Sequence, residues 1–388
     1  MALKIDISKS RVKQITSKYK SLKTPGFVDV NKSTDIDRII SIAKRYRHYK
    51  KIILIGNGGS ITSFWTYYKA LPHDRKAYLL NTMDPDLIAG VKKKCYKNDT
   101  LVVVISKSGN TVGVIEDLLQ FIDYKMLVIT EGGALEEIAL KRHFDLIEHP
   151  DVGGRFCGSS IVAYIPAAIC GIDIKSIDKG IKAMYGKCAA QNSPAKKISS
   201  VFYQLSKKGY TEIFMPVYSP KLEGFINLAV QLIHESCGKK GKGITIYGSL
   251  APESQHHTNQ RFFGGKANVI GLFVSIDKFH HMIKTDVPKD LKDVNLRYGR
   301  LDDIDNIELG KCVVYEFTGT YIDAVEKKIP LISLRLDMVD GESVGELVAL
   351  FQYISVEFSS LLDVNPFDQP EVEKSKAISF DLRKKHKR

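Results

Sequence analysis

Four short runs in the first third of the chain, KIILIG (51–56), AYLLNT (77–82), LVVVIS (101–106) and MLVIT (126–130), are apolar at successive positions. A strand with one face in water alternates apolar and polar residues, whereas one that is apolar throughout must be covered on both faces. Segments with helical spacing, such as TVGVIEDLLQFID (111–123), separate these runs. The chain is thereby constrained to an α/β fold with a parallel sheet between helical layers. After a helical region at about 176–208 the pattern restarts with EIFMPVYS (212–219), the long helix LEGFINLAVQLIHESCGK (222–239), then GITIYGS (243–249), NVIGLFVSI (268–276) and IPLISLRLD (329–337). At 388 residues, 44% of them hydrophobic, the chain can build two cores. Two similar α/β domains are expected, 46–190 and 191–350. A lysine-rich arm of helical pattern, 1–45, should pack on the first, and a helical segment, 351–388, should follow the second. ESVGELVALFQYISVEFSSLLDV (342–364) and PEVEKSKAISFDLRKK (370–385) should lie across or between them.

The net charge of +13 suits anionic ligands, either nucleic acid or small phosphorylated molecules. Much of it sits in short runs, VKKKCYK (91–97), ESCGKKGKG (235–243) and RKKHKR (383–388), with neither finger spacings nor an RNP-type aromatic strand. These read as solvated basic surface, and no nucleic-acid partner is expected. The six cysteines, Cys95, Cys157, Cys170, Cys188, Cys237 and Cys312, form no CxxC pair, and the start MALKIDISKSRVKQ lacks a signal-peptide core. The longest apolar stretch, IVAYIPAAICGI (161–172), is too short to span a bilayer and contains Pro166. The expectation is a soluble, cytoplasmic protein with no membrane partner.

In parallel sheets, ligands bind at the carboxyl ends of the strands, where glycine-rich turns lead into helix N-termini. Two turns qualify. In LIGNGGSITS (54–63), Gly56, Gly58 and Gly59 let backbone approach an anion and Ser60 adds a hydroxyl; Ile61 breaks the dinucleotide fingerprint and no Gly-Lys-Ser/Thr ending makes a P-loop. In VVVISKSGNTVG (102–113), Ser106, Ser108 and Thr111 offer hydroxyls, Lys107 a cation, and Gly109 relaxes the turn, an arrangement suited to a phosphate monoester. Ser, Asn and Thr are also ordinary helix caps, so a capped turn without a ligand is the competing reading.

GNGGS (56–60) followed by SKSGNT (106–111) resembles the sugar isomerase (SIS) domain, a flavodoxin-like unit that binds phosphosugars. Two such units in tandem resemble the glucose-6-phosphate isomerase family. Later motifs agree in order from about residue 50 to 380: VGGRF (152–156) with Cys157 in place of the family serine, QLIHESCGK (231–239), SQHH (254–257) and FDQPEVEKSK (367–376). The chain is compact, like the shorter archaeal and bacterial members. The resemblance implies interconversion of glucose 6-phosphate and fructose 6-phosphate, a phosphorylated hexose as substrate, no cofactor, and a homodimer whose sites are shared between subunits.

An aldose-ketose isomerase must open a cyclic sugar and move a proton between C1 and C2 through an enediol, which one carboxylate can do. Gln231 and Glu235 are four residues apart, so on a helix both project from one face. A carboxylate at the C-terminal end of a helix is slightly disfavoured as an anion, which suits a base; read alone, Glu235 could equally be a solvated helix-end residue. Arg155 follows two glycines and could approach an enediolate oxygen, or simply form a surface ion pair. His256 and His257 are equivalent by composition; the resemblance selects His256 for ring opening, a task suited to an imidazole. It also implies Lys376 at the ring oxygen and Gln369 as a substrate contact, beside Gly59, Ser60, Ser106, Lys107, Ser108, Thr111 and Gln231. Histidines in adjacent pairs, 256–257 and 280–281, are poorly spaced as metal ligands, so a metal-independent enzyme is expected.

The sequence departs from the family at two points. Gly113 stands where relatives carry a carboxylate near substrate and histidine, and APES (251–254) replaces a Gly-Thr-Asn ahead of the Gln-His pair. Glu116 and Asp117, three and four positions after Gly113, or Glu253 could substitute for the missing carboxylate. Two other functions stay open: an SIS enzyme for mannose or amino-sugar phosphates, and a non-catalytic phosphosugar-binding regulator, for which a DNA-binding helix-turn-helix would be expected. Retention of Glu235, His256 and Lys376 together favours catalysis.

Overall fold

The structure is a computed structural model describing residues 3–7 and 24–386. Strand β1 (Leu3–Ile7) precedes helices α1 (Gly26–Ser33) and α2 (Ile36–Lys44). The first sheet then forms from β2 (Lys51–Gly56), β3 (Lys76–Leu80), β4 (Thr100–Ile105), β5 (Lys125–Thr130) and β6 (Asp145–Glu148), joined by α3 (Gly59–Ala70), α4 (Pro85–Lys92), α5 (Val112–Leu119) and α6 (Gly133–Arg142). Its order is β3-β2-β4-β5-β6 and every pairing is parallel. Helices α7 (Ile161–Ile169), α8 (Ile174–Ala189) and α9 (Pro194–Ser206) lead to β7 (Glu212–Val217), α10 (Glu223–Cys237), β8 (Thr245–Leu250), α11 (Thr258–Gly264) and β9 (Val269–Ile276). A two-residue ladder, β10 (Asn295–Leu296) with β11 (Gly299–Arg300), precedes α12 (Leu309–Glu326), β12 (Leu331–Leu336), α13 (Gly341–Leu362) and α14 (Glu373–His386).

The second sheet has the order β1-β12-β9-β7-β8, parallel except for β1 against β12. The N-terminal arm thus differs from the expected helical arm on the first domain. Its first described stretch is a strand that closes the edge of the second sheet, with Leu3 buried against it, while α2 packs on α7 of the first half. The strand is hidden in the sequence because LKIDI is only five residues long and carries two charges, Lys4 and Asp6. The helical expectation for residues 8–23 lies outside the described residues.

Successive apolar positions in the strands serve two cores. In the first sheet, Ile53, Ile55, Val102, Val104, Met126 and Val128 pack under α4, α5 and α6 with Val91, Val114, Leu118 and Leu135. The alternate residues Ile52, Leu54, Leu101, Val103, Leu127 and Ile129 enter one large core that also holds Ile213, Met215, Val217, Ile270, Leu272 and Val274 of the second sheet. A smaller cluster with Phe214, Phe262, Phe273 and Phe317 fills the outer face of the second sheet. The two halves therefore share one interior, filled by α3, α7 to α10 and α13. All of α13 except Glu342 and Ser360 is buried, so the expected boundary at 350 falls inside a single central helix. Among the described residues no helix is long and apolar enough to cross a membrane; IVAYIPAAICGI is the buried α7 and the residues after it.

Helices α8 and α13 meet at glycines. A Cβ on Gly345 would stand 2.3 Å from the Ile177 carbonyl, and one on Gly180 would stand 2.0 Å from the Glu342 carbonyl. Alanine improves intrinsic helix propensity by about 1 kcal/mol, but the carbonyl it meets is backbone and cannot step aside. Gly345→Ala is expected to lower stability by about 1–3 kcal/mol net, read as a fall in Tm or urea midpoint; an increase would show that the crossing has slack.

Candidate functional site

The first sheet changes direction between β2 and β4: chain from β2 passes to β3 on one side, and the later strands add on the other. Such a switch point leaves a crevice at the carboxyl ends of the strands. A cleft of roughly 1190 Å³ lies there, lined by both glycine turns, the Gly153–Arg155 segment, Gln231 and Glu235 of α10, and the chain from Phe367 to Arg383.

In the turn after β4, Ser106 is buried, with its Oγ 3.0 Å from the Thr111 Oγ1. Thr111 is the N-cap residue of α5 but makes no side-chain capping bond, and the N-cap of α3 is Gly58, which has no side chain. The hydroxyls of Ser106 and Thr111 are thus bonded to each other and not to the helix end, contrary to the capped-turn reading. Gly109 is required here: its φ is +65°, and a Cβ would lie 1.7 Å from the Gly132 carbonyl. Lys107 lines the cleft but is paired with Asp151 at 2.8 Å. Gly59 is equally constrained, because a Cβ would stand 2.1 Å from the Arg155 amide nitrogen. The glycine turn and the VGGRF segment are therefore in backbone contact, with Ser60 beside them.

Arg155 is 3% exposed, and all five of its N–H groups are used. Nε donates to Ser236 Oγ at 3.0 Å. Nη1 donates to Glu235 Oε2 and to Gln369 Oε1, each at 2.8 Å. Nη2 donates to the carbonyls of Pro366 and Asp368, at 2.5 and 3.0 Å. Burial lowers the Arg155 pKa, and the Glu235 carboxylate opposes that shift. The guanidinium expected to meet an enediolate oxygen thus bridges Glu235 and the C-terminal segment in the wall of the cleft. Lys239, 6% exposed, reinforces the bracket by donating to Asp368 Oδ1 at 2.7 Å and to the Asn365 carbonyl.

Glu235 has a side chain 34% exposed and opens on the cleft. Its Oε1 accepts from Gln231 Nε2 at 2.8 Å, confirming that the two share a helix face. At the end of its helix the Glu235 carboxylate is held by a guanidinium on one oxygen and an amide on the other. Lys376, on α14, lines the same cleft and pairs with Glu373 at 2.7 Å. His256 is the exception. It lies exposed on the connection from β8 to α11, outside the cleft lining, where Gln255 ties the loop to Thr320 of α12.

Gly113 lines the cleft, and Glu116, Asp117 and Glu253 do not. Glu116 accepts two bonds from Arg383 of α14, at 2.6 and 2.8 Å, which hold its carboxyl below the usual range. Asp117 is buried with Oδ1 unpartnered, and Glu253 is exposed. Cys157, in the family serine position, is buried, its thiol pushed up to about 12 by burial, with Sγ 3.6 Å from His149 Nε2. Sequence reasoning missed Met83, Phe367, Phe380 and Arg383, which also line the cleft. Arg383 sat in a run read as solvated, and the aromatic residues carried no spacing signal.

This two-sheet α/β arrangement is that of proteins built from SIS domains. A hypothetical protein from Thermus thermophilus superposes with a TM-score of 0.86 at 23% identity, covering 92% of this chain and 90% of that one. A glucose-6-phosphate isomerase from Chlamydia trachomatis superposes with a TM-score of 0.76 at 18% identity, covering 95% and 77%. No family model matches the chain. Among curated proteins, it is similar to the glucose-6-phosphate isomerase of Methanocaldococcus jannaschii, with 28% identity over 92% of this chain and 89% of the relative. It is also similar to that of Acholeplasma laidlawii, with 26% identity over 90% and 86%.

Asp117 offers a test by pH. Burial, with a smaller contribution from Glu116, raises its carboxyl from 3.8 to about 6. A raised carboxyl favours the protonated native state, so its ionisation removes stability as pH rises from the unfolded value through about 6. Asp117→Asn should therefore improve Tm over the wild type by about 2–4 °C more at pH 8 than at pH 4. An equal change at both pH values would show that the carboxyl is not strained by ionisation.

Proposed function

We propose that the protein is a glucose-6-phosphate isomerase that interconverts glucose 6-phosphate and fructose 6-phosphate by ring opening and enediol proton transfer, in the cytoplasm. One observation carries the reading: Glu235 shares a cleft with the hydroxyl pair of Ser106 and Thr111, with Arg155 and Gln231 on its two oxygens. The substrate phosphate sits on Ser106, Ser108 and Thr111, near Gly59 and Ser60. C1 and C2 face Glu235, which takes the proton from one carbon and returns it to the other. Arg155 contributes positive charge near the developing enediolate, and Lys376 and Gln369 close the site from the C-terminal side.

The working unit is a homodimer, with His256 of a second copy completing each cleft for ring opening. Two features support this. His256 is exposed and outside its own chain's cleft. The stretch around the β10–β11 ladder exposes Met282 (76%), Ile283 (60%) and Tyr298 (90%), apolar surface of the sort that marks an interface.

Glu235→Gln should lower kcat by about 10²–10⁴ while calorimetric binding of fructose 6-phosphate stays near wild type, because the amide keeps shape but cannot take the proton. Turnover near wild type would remove Glu235 from the base role. His256→Ala should also be impaired in ring opening, and subunit exchange between the two variants should restore activity. No recovery despite demonstrated exchange would place each whole site within one chain.

A further inference from the structure

Gln231 bonds both to the base and to a residue that nothing in the motifs singles out. Its Nε2 donates to Glu235 Oε1 at 2.8 Å, and its Oε1 accepts from the hydroxyl of Thr62 at 3.0 Å. Thr62 lies in the first turns of α3, which packs closely against α10, and is partly buried. Gly58 leaves the amide its room, since a Cβ there would stand 2.9 Å from Gln231 Nε2.

A carboxamide has one donating end and one accepting end of nearly the same shape, so its orientation is decided by its partners. The Glu235 carboxylate can only accept and so faces the NH₂ end, and the Thr62 hydroxyl then donates to the carbonyl end and anchors the amide in that orientation. The carboxylate then has a donor on each oxygen, Gln231 on Oε1 and Arg155 on Oε2. Remove the hydroxyl and Gln231 Oε1 loses its donor; the amide is then anchored at one end only, and its NH₂ is held less firmly on the carboxylate. We propose that Thr62 is a positioning residue of the isomerisation, which acts through Gln231 to present Glu235 as an ionised base. The inference rests on the isomerase reading above and assigns a role to a side chain outside the cleft lining.

Thr62→Val keeps the branched shape and removes the hydroxyl. An ionised group that loses a donor is harder to keep ionised, so the acidic limb of the kcat–pH profile should move upward by about half to one pH unit. At neutral pH kcat should fall roughly tenfold, as for loss of a hydrogen bond to a charged group, with KM for fructose 6-phosphate little changed. Thr62→Ser should restore both. In a Gln231→Leu background, adding Thr62→Val should cost nothing further, because the relay is already cut.

An unshifted acidic limb in a folded Thr62→Val enzyme would overturn the proposal. Failure of serine to rescue, or a full additional loss in the Gln231→Leu background, would equally overturn it. A wild-type enzyme inactive on every hexose 6-phosphate would instead overturn the isomerase reading and this inference with it, whereas an active wild type with an unmoved limb sinks the inference alone.

Discussion

The guanidinium of Arg155 is the interaction on which the site depends. It is buried, and each of its N–H groups has an acceptor: a hydroxyl, the Glu235 carboxylate, a glutamine amide and two main-chain carbonyls. A buried cation is tolerated only when its hydrogen-bonding capacity is met. Here that requirement is met by two parts of the chain distant from the arginine and from each other, helix α10 and residues 366–369. The demand of one charge for partners thereby draws the site together. Lys239 repeats the device one turn beyond Glu235 and holds the same C-terminal stretch. The Gly-Lys ending of the α10 motif is consequently a clamp on the chain, away from the reacting atoms.

The remaining geometry follows from topology. Parallel pairing of β2 with β3 on one side and β4 on the other opens the crevice, and the turns after β2 and β4 reach its rim. Glycine is needed at those turns because backbone packs on backbone: Gly59 against Arg155, Gly109 against Gly132. The hydroxyls gathered there and Glu235 on α10 come from elements that meet around the common interior of the two halves, whereas α14 lies outside that interior and is tied to α5 by Arg383 and Glu116.

Much of this was legible in the sequence for definite reasons. The runs at 51–56, 101–106 and 126–130 are apolar on both faces, and strands between two helix layers leave no cheaper arrangement. The spacing of Gln231 and Glu235 placed them on one face, where they bond. Other features were hidden because they depend on tertiary partners. β1 is five residues long with two charges, and only pairing with β12 makes it a strand. The boundary expected near 350 falls inside α13, whose apolar pattern runs straight through it, as a helix buried between two halves requires. Arg383 read as one more cation in a basic tail, yet a carboxylate 267 residues away fixes it. Thr62 carried no signal, since a hydroxyl four residues after a glycine is commonplace until its partner is known.

Gly113 shows how such a departure can be absorbed without being compensated. A Cβ at this position would stand 2.7 Å from Met83 Sδ and 3.6 Å from Asn57 Nδ2. Met83, flexible and apolar, occupies the space a longer side chain would need. A carboxylate restored at Gly113 would meet this thioether, the far end of an exposed side chain that can swing aside. The acidic residues one turn along are already committed, Glu116 to Arg383 and Asp117 to a buried position on α5. Glu116 does reach the cleft indirectly, because Arg383 and its helix form one wall. Neither acidic residue takes the place of a carboxylate at position 113: Glu116 is held by Arg383, and Asp117 is buried with one oxygen unpartnered. Under the proposed function, the imidazole from the second copy must work without that acidic neighbour, and polarisation of the ring oxygen falls to the cations of the C-terminal segment.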